Sequence, residues 1–439
     1  MAALLLTSMV WSGHAQEKNE MDLSGEWAFQ TDVMDFRRGS LDVRYCHRLQ
    51  ESIVLPGITD DYKIGYKSPY RHLDRLTRVY EYMGPAWYQR EIEIPAAWKG
   101  KRIFLYFERT HWLSSVYVGK EEVSKIDYIS IPHNHELTQW LHPGKKELIT
   151  FCIDNRYQYD THKWDHAHSE FTQINWNGVL GEIKLVAVDP VYVDDMQVYP
   201  DIKNKSIKVK MTVRNCTEHT ASGKISFHVT GKDYRLQKEV PVTVTDSITY
   251  IEEEMFLGKD IHLWNEFHPN LYTLDCKLTS SVEGQSYAHE KSTTFGMREV
   301  EAGEDHIILN GEPIHLRGTV ENAVFPKTGY APVDDASWER VLRILKEYGM
   351  NHMRFHSWCP PAAAFRMADK LGVYLEVEMP MWGKDAQPDE KRWNFFRREL
   401  RGILKEYGNH PSFILYCNGN EITGDFSFIE ELPATARQL

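Results

Sequence analysis

The feature that most constrains the fold of this chain is a change in the spacing of apolar residues near Arg298. Before it, short alternating apolar runs are separated by turn residues, a pattern typical of antiparallel β-sandwiches. After it, short apolar strands alternate with segments whose apolar residues follow helical spacing. Such alternation predicts a parallel sheet covered by helices, and the lack of a glycine-rich phosphate loop after any strand disfavours a dinucleotide-binding fold. A (β/α) barrel fits this part of the chain best.

These patterns of apolar and turn residues predict three domains. Residues 21–189 carry evenly spaced short strands and predict a jelly-roll sandwich. Residues 190–298 predict an immunoglobulin-like β-sandwich, without the paired Cys and Trp of antibody domains. Residues 299–439 contain four countable barrel strands, whereas a complete (β/α)8 TIM barrel needs about 250 residues. The sequence therefore predicts a multidomain protein, with two all-β sandwiches followed by the N-terminal half of a TIM barrel.

The strands of this partial barrel are predicted from their apolar runs. We expect them at residues 314–317, 352–355, 373–377 and 412–417. Asp334 or Asp335 is expected to cap the helix after the first strand, and Gly372 to end the helix after the second. The last strand is predicted to be buried on both faces, because six consecutive apolar or small residues follow Pro411.

Charge and cysteine usage exclude several classes of function. The net charge of -12 removes the electrostatic basis for binding nucleic acid or anionic membranes. The six cysteines are scattered without a Cys-x-x-Cys pair, so neither a disulfide framework nor a zinc site is indicated. His and Asp residues cluster between Asp160 and His168, but His-x-His spacing is common in loops, and a loop reaching towards a substrate cleft is the preferred interpretation. No cofactor and no metal are predicted.

Residues 1–15 resemble a secretory signal peptide. An apolar run at residues 4–11 is followed by Gly13, His14 and Ala15, a small-x-small cleavage pattern, although the usual basic start is missing. No later stretch is long and apolar enough to cross a bilayer. We therefore expect a periplasmic or secreted protein without a membrane span.

A carboxylate follows the last predicted strand. Asn420 and Glu421 come shortly after residues 412–417. Barrel enzymes keep catalytic groups at the C-terminal ends of strands, because the strand fixes their position and the following loop opens to substrate. If this strand belongs to such a barrel, Glu421 is catalytic and Asn420 is placed to hydrogen-bond a ligand hydroxyl. The alternative is a solvent-facing Glu421 that opens the next helix, and this segment alone does not decide between them.

Further candidates for substrate binding follow the two middle strands. Arg354 and His356 lie at the mouth of the second strand, where they are placed to bind hydroxyls or a carboxylate. Glu378 follows the third strand, and Trp382 is placed to stack on a sugar ring. Two alternatives stay open: Arg354 is an ion-pair partner of Glu376 or Glu378 that braces the sheet, and Trp382 is packing at the rim.

Motifs along nearly the whole chain resemble glycoside hydrolase family 2, which includes β-galactosidases, β-glucuronidases and β-mannosidases. No single motif is specific, but their joint occurrence in this order is. The motifs are Gly25-Glu26-Trp27, Ala86-Trp87-Tyr88, Trp176-Asn177-Gly178, Leu263-Trp264, Pro269-Asn270-Leu271-Tyr272, Phe295-Gly296-Met297-Arg298, Asn310-Gly311, Leu316-Arg317-Gly318 and Gly419-Asn420-Glu421. The resemblance implies the same three folds and a retaining exo-β-glycosidase acting on oligosaccharides or polysaccharides in carbohydrate catabolism.

The resemblance also implies roles for two residues after the fourth strand. Glu421 matches the family's acid/base, which protonates the leaving oxygen, and Asn420 is expected to bind the sugar 2-hydroxyl. The family's nucleophile, a Glu on the seventh barrel strand, is not present in these 439 residues. We therefore expect an incomplete form of a glycosidase that is inactive as the isolated chain. The alternative is a non-catalytic glycan-binding or scaffolding protein.

Two positions depart from the pattern of the family's galactosidases. Asn322 stands five residues after Arg317, where His is usual, and residues 354–357 have the order Arg-Phe-His-Ser instead of Arg-x-Ser-His. The pocket is therefore not expected to be that of a standard β-galactosidase. A carbohydrate is the expected partner, a homo-oligomer is left open, and the sugar and linkage are not determined.

Overall fold

The computed structural model describes residues 19–34, 49–172, 174–383, 389–424 and 426–438. The predicted signal peptide at residues 1–15 lies outside these ranges. Within them, no helix combines the length and the apolar character that crossing a membrane requires.

The first part of the chain forms two large antiparallel sheets and one two-stranded sheet. Its strands are β1 (Glu20–Asp22), β2 (Gly25–Thr31), β3 (Glu51–Leu55), β4 (Gly57–Ile58), β5 (Tyr66–Lys67), β6 (Tyr80–Glu81), β7 (Pro85–Glu93), β8 (Arg102–Thr110), β9 (Leu113–Val118), β10 (Glu121–Ile126), β11 (His133–Glu136), β12 (Lys146–Asp154) and β13 (Gly178–Val188). One sheet has the order β1-β13-β8-β11 with β4 also on β13, the other has the order β10-β9-β12-β7-β2-β3, and β5 pairs with β6. Phe151 contacts Trp27 of its own sheet and Phe107 of the other, with ring centroids 5.0 and 4.8 Å apart, so the core lies between the sheets.

The second part is a smaller antiparallel sandwich. Its strands are β14 (Val191–Asp201), β15 (Ser206–Asn215), β16 (Ala221–Gly231), β17 (Tyr234–Val244), β18 (Ile248–Phe256), β19 (Tyr272–Val282) and β20 (Gln285–Phe295). The sheets have the orders β14-β15-β18 and β17-β16-β19-β20, and their facing apolar residues form one core. Alternation of buried and exposed residues along each strand explains why the sequence pattern predicted a sandwich here.

The third part combines a small antiparallel sheet with a four-stranded parallel sheet. The strands are β21 (Val300–Ala302), β22 (Ile307–Leu309), β23 (Glu312–Ile314), β24 (Gly318–Glu321), β25 (His352–Phe355), β26 (Tyr374–Glu378) and β27 (Phe413–Cys417), and the helices are α1 (Asp335–Glu347), α2 (Ala362–Leu371), α3 (Glu390–Tyr407) and α4 (Phe426–Gln438). The parallel sheet has the order β24-β25-β26-β27. Helices and strands alternate along the chain, as the periodicity predicted.

Helix ends follow the capping residues that the sequence carries. The Asp334 carboxylate accepts a hydrogen bond of 2.8 Å from the Ser337 amide and starts α1. Gly372 ends α2 at a φ of 67°, and a Cβ at this position would approach the Glu266 carbonyl oxygen to 2.7 Å. A side chain is therefore excluded there both by backbone conformation and by space.

Two predictions about the parallel strands are wrong. The first strand is Gly318–Glu321 rather than 314–317, because Ile314 ends an antiparallel hairpin and the Arg317 amide bonds to the Asn351 side chain. The last strand is not buried on both faces: Phe413 is buried, but residues 414–417 are partly exposed. Strand β27 pairs only with β26 among the described strands, so no neighbour covers its other side.

The first sandwich packs directly against the helical part. Trp112 contacts Phe395 of α3 with ring centroids 5.4 Å apart. The Ile129 amide donates a 2.7 Å hydrogen bond to Oε1 of Glu399, a fully buried residue of α3. Apolar packing and a buried polar contact therefore fix the sandwich against helix α3.

Glu399 makes this contact dependent on pH. Burial raises the pKa of the Glu399 carboxyl to about 7, above its value in the unfolded chain. The contribution of Glu399 to the free energy of unfolding is therefore complete below about pH 4.5 and is lost as the pH rises through 7. We expect Glu399→Gln, which keeps an acceptor for the Ile129 amide, to raise the free energy of unfolding at pH 8 by on the order of 3 kcal/mol. The gain at pH 5 should be much smaller.

Denaturant unfolding of the parent and the variant at pH 5 and pH 8 measures this difference. The control is Glu347→Gln, at an exposed position at the end of α1. An equal change for Glu399→Gln at both pH values would contradict the expectation.

Candidate active site

The C-terminal ends of neighbouring strands bring the predicted polar residues to one edge of the parallel sheet. Arg354 lies near the end of β25, Glu378 ends β26, and Asn420 and Glu421 lie in the turn after β27. Parallel strands all end at the same edge, which is where barrel enzymes hold their reacting groups. Residues that the sequence analysis singled out after three different strands therefore lie at one edge of the sheet.

Arg354, Glu378 and Asn420 form one hydrogen-bonded network. Arg354 Nε donates to Glu378 Oε1 over 2.6 Å, and Arg354 Nη2 donates to Asn420 Oδ1 over 3.0 Å. The other Glu378 oxygen accepts the Ser357 amide at 2.6 Å. The structure therefore shows the ion-pair alternative for Arg354, whose guanidinium joins β25 to β26 and also bonds to the Asn420 side chain.

The prediction that Glu378 contacts substrate does not fit its position. The side chain is 0 % exposed, and both carboxylate oxygens are engaged inside the protein. An anion enclosed in this way is retained because a cation and backbone donors satisfy it. Glu378 is therefore a positioning residue for Arg354.

A glycine fixes the turn that carries Asn420 and Glu421. Gly419 has a φ of 139°, and a Cβ there would lie 2.1 Å from the Met381 carbonyl oxygen. The same carbonyl accepts the Asn420 amide at 2.9 Å. Glu421 follows with a φ of 46° and an exposed side chain, five positions before the start of α4 at Phe426. Glu421 thus belongs to the turn at the sheet edge and does not open the helix.

Trp382 contacts the exposed carboxylate. Its indole Nε1 donates to Glu421 Oε2 over 3.0 Å. The imidazole of His166 stacks on the indole at 5.5 Å with an interplanar angle of 19°, and His356 meets it at 4.6 Å and 74°. One face of Trp382 is therefore covered by protein, which leaves at most the other face for a sugar ring.

Burial disfavours the charged form of the two histidines beside Trp382. Burial lowers the pKa of His166 to about 4. Burial is also the main cause that lowers the pKa of His356, with a smaller opposite effect of Glu378. With a pKa of about 4, the His166 ring supplies no positive charge for a substrate carboxylate at pH 7.

The loop from 155 to 172 of the first sandwich reaches this edge, as the sequence suggested. The His166 amide donates to Ser357 Oγ at 3.0 Å. Asp165 and His168 lie fully buried with Oδ2 and Nδ1 3.1 Å apart, so these two potential metal ligands face the interior and each other. The loop therefore packs against the sheet edge through His166, while Asp165 and His168 are enclosed within it.

Another group of potential ligands fits a metal no better. Atoms of Glu376, Glu378 and Cys417 lie within 4.8 Å of one another. The guanidinium of Arg354 already bonds to Glu378 and lies 3.6 Å from Glu376. A cation is thus built into this group, and the side chains need no metal ion to balance their charge.

Glu321 is a candidate that the sequence argument missed. It ends β24 at the same edge of the sheet, and its carboxyl accepts the amides of Ala323 and Val324 at 2.9 and 3.3 Å. Burial raises its pKa to about 7. Correct placement of the first strand at 318–321 was the signal that would have found it.

A cavity of about 620 Å³ lies elsewhere, between the sheet β14-β15-β18 and helix α3. Tyr199 and Leu404 are among its lining residues, whereas Arg354 and Glu421 are not. Void volume alone therefore does not locate the chemistry, and the converging side chains at the sheet edge are the stronger guide.

Comparison with known proteins places this geometry in context. Residues 191–298 match the model of glycosyl hydrolases family 2. The chain is 23% identical to a β-galactosidase of Thermoanaerobacter pseudethanolicus, over 82% of this chain and 48% of the relative. It is 24% identical to a putative β-glucuronidase of Formosa agariphila, over 99% of this chain and 52% of the relative. The chain thus spans about half the length of these curated relatives.

Solved structures share the fold. A glycosyl hydrolase family 2 member from Bacteroides cellulosilyticus superposes with a TM-score of 0.75 at 20% identity, covering 96% of this chain and 56% of that one. A Bacteroides uniformis β-glucuronidase bound covalently to a cyclophellitol-6-carboxylate aziridine gives 0.74 at 18% identity, covering 95% and 50%. At these identities the likeness shows a common mostly-β, multidomain architecture.

Proposed function

We propose that this chain, which belongs to glycosyl hydrolase family 2, is the part of a retaining β-glycosidase that carries the acid/base. The observation that supports this most is Glu421, an exposed carboxylate held on the C-terminal edge of a parallel sheet by the Gly419 turn and by the Trp382 indole. The names of the two relatives, β-galactosidase and putative β-glucuronidase, support a β-glycoside substrate.

Glu421 is the proton donor in this proposal. It protonates the glycosidic oxygen as the bond to the anomeric carbon breaks, and it then removes a proton from the water that hydrolyses the glycosyl-enzyme. Retention requires a second carboxylate about 5 to 5.5 Å away as nucleophile. Glu378 is enclosed and paired with Arg354. The resemblance to the family implies that the nucleophile is a Glu on the seventh strand of a complete barrel, outside the described residues.

Asn420 orients the sugar. Its Oδ1 accepts from Arg354, which leaves its amide nitrogen to donate to the 2-hydroxyl, a hydrogen bond that strengthens in the oxocarbenium-like transition state. His356 lies against Trp382 and lines the same edge as a hydrogen-bonding group. Arg354 therefore acts mainly through Asn420.

The proposed domain organisation follows from this function. Residues 21–189 and 190–298 are a jelly-roll and an immunoglobulin-like sandwich, and residues 299–439 are half of a (β/α)8 barrel. The open edges of the parallel sheet support the last assignment: Val320 of β24 is 47% exposed, and residues 414–417 of β27 are partly exposed. We also propose export to the periplasm or beyond, directed by residues 1–15.

An assay of two proteins tests the proposed function. The protein expressed from its intact gene is expected to hydrolyse at least one of the aryl β-galactoside, β-glucuronide or β-mannoside, with the β-anomer as first product by proton NMR. The 439-residue chain alone is expected to be inactive on all three. Turnover by the isolated chain that Glu421→Gln abolishes would show that its own carboxylates suffice and that the assignment of the nucleophile is wrong.

A further inference from the structure

An exposed tryptophan lies at the edge of the candidate active site. Trp164, in the loop of the first sandwich, is 40% exposed, and its ring centroid lies 6.3 Å from that of Trp382. Trp382 in turn donates its indole hydrogen bond to Glu421. A single indole therefore separates this exposed aromatic surface from the proposed proton donor.

The protein holds Trp164 in place. The Phe171 ring meets it edge to face at 6.3 Å, and the Lys163 ammonium lies 5.0 Å from the indole centroid. The same loop is tied to the parallel sheet by the His166 amide, which bonds to Ser357 Oγ. An indole ordered in this way without being buried offers an apolar face to a partner at little further entropic cost.

We propose that Trp164 is the platform for the first aglycone sugar, the pyranose whose oxygen receives the proton from Glu421. This inference rests on the proposed function. The glycone occupies the side of Asn420 and Arg354, which bond to each other at the sheet edge, so the aglycone extends towards the loop. The Lys163 ammonium lies over one face of the indole, so the pyranose stacks on the opposite face. The substrate is then a β-linked oligosaccharide rather than the glycoside of a small alcohol.

Trp164→Ala in the protein from the intact gene tests the platform. For a β-1,4-linked disaccharide of the accepted sugar, kcat/KM is expected to fall by roughly 10-fold or more, the loss of one aromatic stacking contact. For the glycosyl fluoride of the same sugar, which has no aglycone ring, it should change less than about twofold. Trp164→Phe should retain most of the disaccharide activity. Tyr250→Ala, at a position 80% exposed on β18 of the second sandwich, is the control.

The two proposals fail in different ways. Equal losses on the disaccharide and on the fluoride, or no loss on either, would overturn the platform while leaving the glycosidase assignment intact. If the parent turns over no glycoside, the proposed function fails. Binding of lactose, cellobiose and mannobiose, measured by quenching of tryptophan fluorescence, then decides the platform: binding weakened by Trp164→Ala and not by Tyr250→Ala supports it, and unchanged or absent binding overturns it.

Discussion

Replacing Glu421 by Gln is expected to lower the hydrolysis of natural β-linked oligosaccharides by roughly 10²- to 10⁴-fold, the usual contribution of general acid catalysis. Gln has the same size, and its carbonyl still accepts the Trp382 indole hydrogen bond, but it has no proton to give to the leaving oxygen. Aryl glycosides with good leaving groups should lose much less in the step that forms the glycosyl-enzyme. The measurement is kcat/KM for both substrate classes.

The control for this variant is Glu430→Gln, an exposed position on α4. It is expected to leave both substrate classes unaffected. Unchanged oligosaccharide hydrolysis by Glu421→Gln would remove Glu421 from the mechanism.

Replacing Arg354 by Met is expected to cause the largest loss of stability. Glu378 is 0 % exposed and depends on Arg354 for its counter-charge, so the variant would leave a buried carboxylate with only the Ser357 amide as partner. Breaking a buried pair from one side costs about 3 to 5 kcal/mol. Denaturant unfolding followed by tryptophan fluorescence measures the change.

A second substitution separates charge from packing. In Arg354→Met/Glu378→Gln neither position of the pair carries a charge, so the double variant should regain a large part of the lost free energy. Its activity should stay low, because Asn420 has still lost the donor that orients it. A single variant as stable as the parent would contradict the view that Glu378 is held by Arg354.

Local patterns predicted the parallel strands where apolar runs and caps were clear. Phe413–Cys417 and His352–Phe355 follow the expected bounds to within one residue, since proline and glycine mark their ends. The first strand was misplaced because the apolar residues near Ile314 belong to a hairpin whose pairing is not visible in local periodicity. Because this strand was misplaced, Glu321 at its end was not among the candidate residues.

Contacts between distant segments were the part of the site that the sequence could not supply. Nothing local indicates that His166 stacks on Trp382, more than two hundred residues away in the chain. Likewise, a carboxylate after a strand has no signature that separates an enclosed Glu378 from an exposed Glu421. These differences arise from packing across domains, and only the three-dimensional arrangement resolves them.

The most direct test of the account is rescue of Glu421→Ala by azide. In the protein from the intact gene, an aryl β-glycoside with a good leaving group can still form the glycosyl-enzyme, but without the base the second step is slow. Azide needs no base to attack. We predict that it restores turnover and that the product is the β-glycosyl azide. No rescue, or an α-glycosyl azide, would contradict the assignment of Glu421 as the acid/base of a retaining β-glycosidase.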